Sequence, residues 1–174
     1  MEIVNALAFG AGDLAGRLGT EVGTDVLVSD DFDVDGYRAK ARAASSEVLS
    51  AEKERLRPVL QGLRSGNVYR VQTASAELGV IVVDHTRKQM EAEGVDPAAL
   101  PSAQGSGRCG VAVVCVAYAA VGAHNAAVAT AAVAVVVSVA LWCGAWTWCG
   151  KAATGSESTA ARERLAVQVA SIIQ

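Results

Sequence analysis

The chain carries no Asp, Glu, Lys or Arg between Cys109 and Gly150, a run of 42 residues. A surface helix must return a polar face to water, so this run cannot be laid out as an ordinary series of amphipathic elements. Thirty-three of its residues are hydrophobic and 24 are Ala or Val. All four cysteines and all three tryptophans of the chain lie inside it, and Arg108 and Lys151 close it off on either side. An uncharged stretch beyond about 18 residues reads as a membrane segment. As one helix the run would extend about 63 Å, against a hydrocarbon core about 30 Å thick. It therefore reads as a helical hairpin with its turn at Gly122-Ala123-His124-Asn125, which holds the window's most polar pair, His124 and Asn125. Fifteen residues precede His124 and 25 follow Asn125. Trp142, Trp146 and Trp148 gather near the end, where indole rings favour a membrane interface.

Composition sharpens the contrast. The chain has 174 residues, 52% hydrophobic and 19% charged, yet all 33 charged side chains fall outside the window. The formal net charge of −3 and pI near 5.4 exclude a generally nucleic-acid-binding surface and a strongly acidic disordered chain. No signal peptide is visible at Met1, because the first 20 residues lack a basic n-region and an unbroken apolar h-region.

The cysteines repeat one interval, Cys109-x5-Cys115 and Cys143-x5-Cys149. Paired zinc ligands prefer two to four intervening residues, and no other His or Cys completes a set, so the spacing argues against zinc. Residues six apart on a straight helix are separated by about 9 Å along the axis, and a disulfide needs Cα atoms within about 7 Å. Two local bridges therefore require bent backbone, which Gly110 and Gly144 would allow. The nested pairing, Cys109–Cys149 with Cys115–Cys143, would staple the hairpin. Four free buried cysteines are the third possibility, and either bridged form implies an oxidising compartment.

Residues 1–96 read as a helical soluble leader domain. Its glycine-containing start runs into an acidic patch, Ser29 to Asp35, that reads as a solvated turn because it lacks EF-hand spacing. From Tyr37 the composition favours helix, with Leu49, Leu56, Leu60 and Leu63 on one face. Pro58 interrupts that helix or starts a new one. Ser65-Gly66-Asn67 reads as a stop followed by an N-cap. A second helix runs to about Glu93 with Val68, Val71, Leu78 and Val82 on one stripe, and Gly94 to Pro97 ends it. Residues 97–108 form a cleavable linker, of which Pro97 to Gly107 carries the Pro, Ser and Gly that favour protease access. Residues 151–174 form a tail in which 158–174 make a short amphipathic helix on Leu165, Val169 and Ile172. The fold class is all-α: a helical leader, an Ala/Val-rich helical hairpin over 109–150, and the C-terminal helix.

No catalytic constellation stands out. His85 lies among charged residues of a helix and reads as a surface histidine, and His124 as a turn residue. Gly10-x-Gly12 follows no strand pattern and carries no nucleotide signal. No enzyme, cofactor or metal is indicated.

Three features in order carry a resemblance. They are the early segment EIVNALAFGAGDLAGRLG, with Phe9, Gly10, Gly12 and Ala15 at corresponding places; the stretch LQGLRSGNVYRVQTASAELG, a helix–SG(N/D)–helix; and the uncharged peptide opening with Cys109 and Cys115. Together they resemble the sporulation-delaying protein C family of bacterial peptide-toxin precursors. The resemblance implies export, cleavage on both sides of the hydrophobic segment, and a released peptide that kills related bacteria by inserting in the membrane and collapsing the proton-motive force. It implies membrane lipid of the target cell, processing proteases and a cognate immunity protein as partners, with no nucleic acid. The family's internal disulfide would map to Cys109–Cys115, and the pair Cys143 and Cys149 follows only by symmetry.

The sequence thus reads as an antimicrobial peptide precursor, secreted and acting at the bacterial cytoplasmic membrane. Cuts near Arg108 and Lys151 would leave a product with no formal side-chain charge, which then depends on hydrophobic insertion. Each exposed Å² of that segment costs roughly 25 cal/mol, so the leader serves to cover it. Two other readings fit the same run: a small integral membrane protein with a hairpin anchor, and a soluble helical domain with a buried central hairpin.

Overall fold

The structure is a computed structural model that describes residues 1–21, 33–92 and 156–173. The described residues form six helices and no strand: α1 Glu2–Phe9, α2 Asp13–Arg17, α3 Val34–Ala51, α4 Lys53–Leu63, α5 Val68–Ala92 and α6 Ser156–Ile172. The all-α class holds for these residues. None of their helices is long and apolar enough to cross a membrane. The window 109–150, its expected hairpin and the 97–108 linker lie outside the described residues.

α1 sits at the centre. Every residue from Ile3 to Phe9 is buried, Asn5 included, as befits a helix that is apolar all round. It ends where Gly10 adopts φ 57° and ψ 41°, a left-handed conformation that a side chain resists. The N–H groups of Gly10 and Ala11 turn back to the carbonyls of Ala6 and Asn5, at 3.0 and 3.3 Å. Gly10-x-Gly12 is thus the turn from α1 into α2, which buries Leu14 and Ala15.

α3 and α4 each bury one stripe. On α3 it is Tyr37, Ala41, Ser45 and Val48; on α4 it is Leu56, Val59 and Leu63. Asp33, inside the acidic patch, caps α3 by accepting from the Gly36 N–H at 2.8 Å. Pro58 does not mark the boundary between the two helices. The break falls at Glu52, and Pro58 lies in the second turn of α4. The amide hydrogen Pro58 lacks would have met the carbonyl of Glu54. Both residues are exposed, so water takes that carbonyl and the helix continues.

Ser65-Gly66-Asn67 is the stop and cap the sequence predicts. Ser65 Oγ donates to the Gly62 carbonyl at 2.7 Å, and Asn67 Oδ1 accepts from the Arg70 N–H at 3.1 Å. α5 buries Val71, Leu78 and Val82 and half-buries Val68, matching the expected stripe. It crosses α4 closely at Gly62, where a Cβ would come within 2.8 Å of the Ala74 Cβ. That contact leaves no room for a side chain.

α6 begins two residues before the expected start and buries Leu165, Ala166, Val169 and Ala170. Ile172 is half-buried on the same side. These residues belong to the same hydrophobic core as α1 to α5. α5 packs against α4, α6 and α1, while α1 also packs against α2 and α3.

Candidate functional site

The residues that the sequence singles out for function lie outside the described residues. They are Cys109, Cys115, Cys143 and Cys149, Arg108 and Lys151, Trp142, Trp146 and Trp148, and His124 and Asn125. The structure instead supplies the frame that holds the ends of this interval. α5 stops at Ala92 and α6 starts at Ser156, and the two pack against each other. The chain therefore leaves and re-enters a single folded body on either side of the uncharged window.

Within that body a buried polar cluster locks α1 to α3. Asn5 Nδ2 donates to the Ala11 carbonyl at 2.8 Å, and Ser45 Oγ donates to Asn5 Oδ1 at 3.1 Å. The Tyr37 hydroxyl donates to the Phe9 carbonyl. Burial pushes the Tyr37 phenol well above its ordinary value, because a phenolate has no water to solvate it there. The Asn5 amide, the Ser45 hydroxyl and the Tyr37 phenol each meet a partner, so the cluster positions backbone and leaves no activated nucleophile. No motif or spacing in the sequence marks these three side chains as a set. A signal exists: one Asn in an otherwise apolar stretch of an eight-residue helix must find its partners inside the protein.

A second cluster gathers on Glu52 at the α3–α4 break. Its carboxylate meets Arg55 Nη1 at 3.2 Å and Lys88 Nζ at 3.3 Å, with His85 Nδ1 at 3.8 Å. Arg55 also reaches Asp84 at 3.2 Å. Burial alone would raise the Glu52 pKa, but hydrogen bonds from Arg55 and Lys88 outweigh it and hold the carboxyl below its ordinary value of 4.5. The bond to Asp84, then that to Glu52, raises Arg55. The cluster ties the start of α4 to α5 across 29 to 36 residues of sequence.

His85 corrects an expectation. It is 8% exposed, not a surface residue. Its position follows Leu78, Ile81 and Val82 at helical intervals on the inner face of α5, whereas Lys88, three residues on, is exposed. Among the described residues no group of three or more His, Cys, Asp or Glu side chains is placed to hold a metal ion.

No curated protein and no solved structure matches the chain. The family comparison matches from the buried first helix through the uncharged window to the docked last helix, residues 1–174 without remainder. With that match over its whole length, the chain belongs to the sporulation delaying protein family of toxins.

Proposed function

We propose that this chain is the precursor of a secreted antimicrobial peptide, released by proteolysis on both sides of about 109–150. The peptide inserts in the membrane of related bacteria and collapses the proton-motive force. The observation that carries this reading is the 42-residue window without a formal charge, bracketed by Arg108 and Lys151. Membership in a toxin family supports it, and so does the polarity of the flanks, whose described residues share one helical core.

In this reading the window forms the hairpin, turning at His124 and Asn125, with Trp142, Trp146 and Trp148 at the interface. Cys109–Cys115 and Cys143–Cys149 are the candidate bridges. Processing proteases, target-cell lipid and a cognate immunity protein are the partners. An uncharged peptide gains nothing from attraction to anionic lipid, so its binding rests on apolar burial.

Mass spectrometry of the medium from producing cells tests the proposal. The expected product is a fragment near 109–150 that depolarises energised liposomes. Non-reducing peptide mapping of the same fragment reads its bridges. A full-length chain without that fragment, retained intact in the membrane fraction, would favour the hairpin-anchored membrane protein instead.

A further inference from the structure

We infer that the seat of α6 on α5 is a helix-docking surface that holds its occupant only while the intervening chain is intact. Cutting out the cargo then turns α6 from a fixed part of the carrier into a weak, exchangeable ligand of it. The inference takes its biological setting from the proposed excision of 109–150, but its physics needs only a break in the chain.

Three observations lead there. First, α6 is part of the core: Ala166 and Val169 are 0% exposed, and Leu165 and Ala170 are buried beside them. The carrier is therefore incomplete without α6. Second, the described part of the docked face is small. Among the described residues of α6 the buried ones are Leu165, Ala166, Val169 and Ala170, two of them alanine. Ile172 and Ile173 are half-buried at the edge of the core, lining a surface cleft together with Met1, Ile3, Leu14 and Leu60. Third, α5 ends at Ala92 and α6 begins at Ser156, so every covalent tie between them passes through the segment that contains the cargo.

The physical consequence follows from effective concentration. A tethered segment returns to its seat at an effective concentration up to about the millimolar range. A severed one returns only at the concentration the solution holds. A short amphipathic helix gains most of its stability from the face it packs, not from propensity, so free α6 must order itself and dock at once. Among the described residues, two alanines, one leucine and one valine, with Ile172 and Ile173 half-buried at the edge, are a thin apolar face for that task, and micromolar solutions would leave the seat empty. The seat fits a helix with small and branched apolar residues at i, i+1, i+4 and i+5, the pattern of Leu165, Ala166, Val169 and Ala170. Losing that helix bares apolar core on α5.

The test uses the full chain, tagged at its start, with recognition sequences for one site-specific protease placed at 101–107 and at 152–155. Cutting is done in mild detergent so that the released cargo stays dispersed, and it does not depend on the natural proteases. At about 1 μM the 156–174 fragment should wash off the tagged carrier, and the carrier's melting midpoint should fall by about 5 °C or more relative to the uncut chain. Synthetic 156–174 peptide should restore the midpoint in a dose-dependent way over the high-micromolar to millimolar range, and the same peptide with Val169→Asp should not. A fragment that stays bound one-to-one at 1 μM with an unchanged midpoint overturns the inference. So does a midpoint that falls and ignores the peptide. If the natural medium holds no 109–150 fragment while the engineered cut releases α6, the processing proposal fails and the docking inference stands.

Discussion

The first and last described helices, α1 and α6, enter the same core in opposite ways. α1 has eight residues and buries seven of them, polar Asn5 among them. α6 has 17 residues and presents one stripe, with Glu163, Arg164, Val167 and Gln168 exposed. α1 is wrapped by α2, α3 and α5 and ends in a glycine turn that its own Asn5 side chain pins from inside. α6 packs along α5 by one described stripe, and its end reaches the cleft lined by Met1, Ile3, Leu14 and Leu60. A helix wrapped on every side supports packing on each of its faces. A helix docked by one stripe is an addition that the rest can do without at some loss. In the proposed precursor, whose excised segment would lie between α5 and α6, that asymmetry would decide which half of the folded body feels the cut.

The largest effect expected from this contrast separates two truncations. Val4→Ala, at a residue of α1 that is 0% exposed, should cost about 2–4 kcal/mol through lost burial and an unfilled cavity in a site walled on every side. Val169→Ala removes two methyl groups from the α6 stripe and should cost only about 1–2 kcal/mol. Urea unfolding of the two variants of the full chain measures both. Equal losses would break the comparison and place α6 on the same footing as α1.

The next effect probes why α1 tolerates a polar residue. Asn5→Ala strands the Ala11 carbonyl and the Ser45 hydroxyl in a buried site and should cost about 2–3 kcal/mol. Ser45→Ala alone leaves Asn5 Oδ1 unpaired and should cost about 1–2 kcal/mol. Because the two side chains share one bond, the double variant should lose less than the sum. Strict additivity would mean that the α1–α3 polar lock contributes nothing as a unit.

What can be read from residues alone follows the range of the interaction concerned. The Ser65-Gly66-Asn67 turn is legible because stop and cap are settled by bonds of two or three residues' reach. The stripes of α5 and α6 are legible because each buries one face, which leaves a period in the sequence. α1 has no period to detect, since all its faces are buried. The α3–α4 break falls away from Pro58, and the sequence hides it because Leu49, Leu56 and Leu63 keep one spacing across it. The residue at the break, Glu52, takes part of its binding from Lys88 on α5, 36 residues away. His85 departs from its expected exposure for a related reason: Lys88, close to it in sequence, does not share its burial. The candidate cargo site is marked by composition alone, through a missing charge, and its cysteines and tryptophans lie outside the described residues.

The smallest expected effect tests that long-range tie by pH. Arg55 and Lys88 face Glu52 directly, His85 lies beside it, and Asp84 shares Arg55. The Glu52 carboxyl is held below its ordinary value of 4.5, so folding favours its charged form. Its contribution is therefore fully present above that value and is lost as pH falls through the lower, folded one. Glu52→Gln keeps an acceptor and removes the charge. At neutral pH the variant should be less stable by under about 1 kcal/mol, because the cationic partners are solvent-facing and screened. The gap between the two proteins, read from urea midpoints, should be open at neutral pH and close as pH falls below the ordinary value of 4.5 and through the lower, folded one. Carboxylates remote from Glu52 titrate alike in both proteins and drop out of the difference, and Asp84, which shares Arg55, is controlled by repeating the same comparison in an Asp84→Asn background. A gap that persists once Glu52 is fully protonated would assign the effect of the Glu52→Gln substitution to packing. A gap that never opens would leave the α3–α4 break to be held by the Leu56, Val59 and Leu63 face alone.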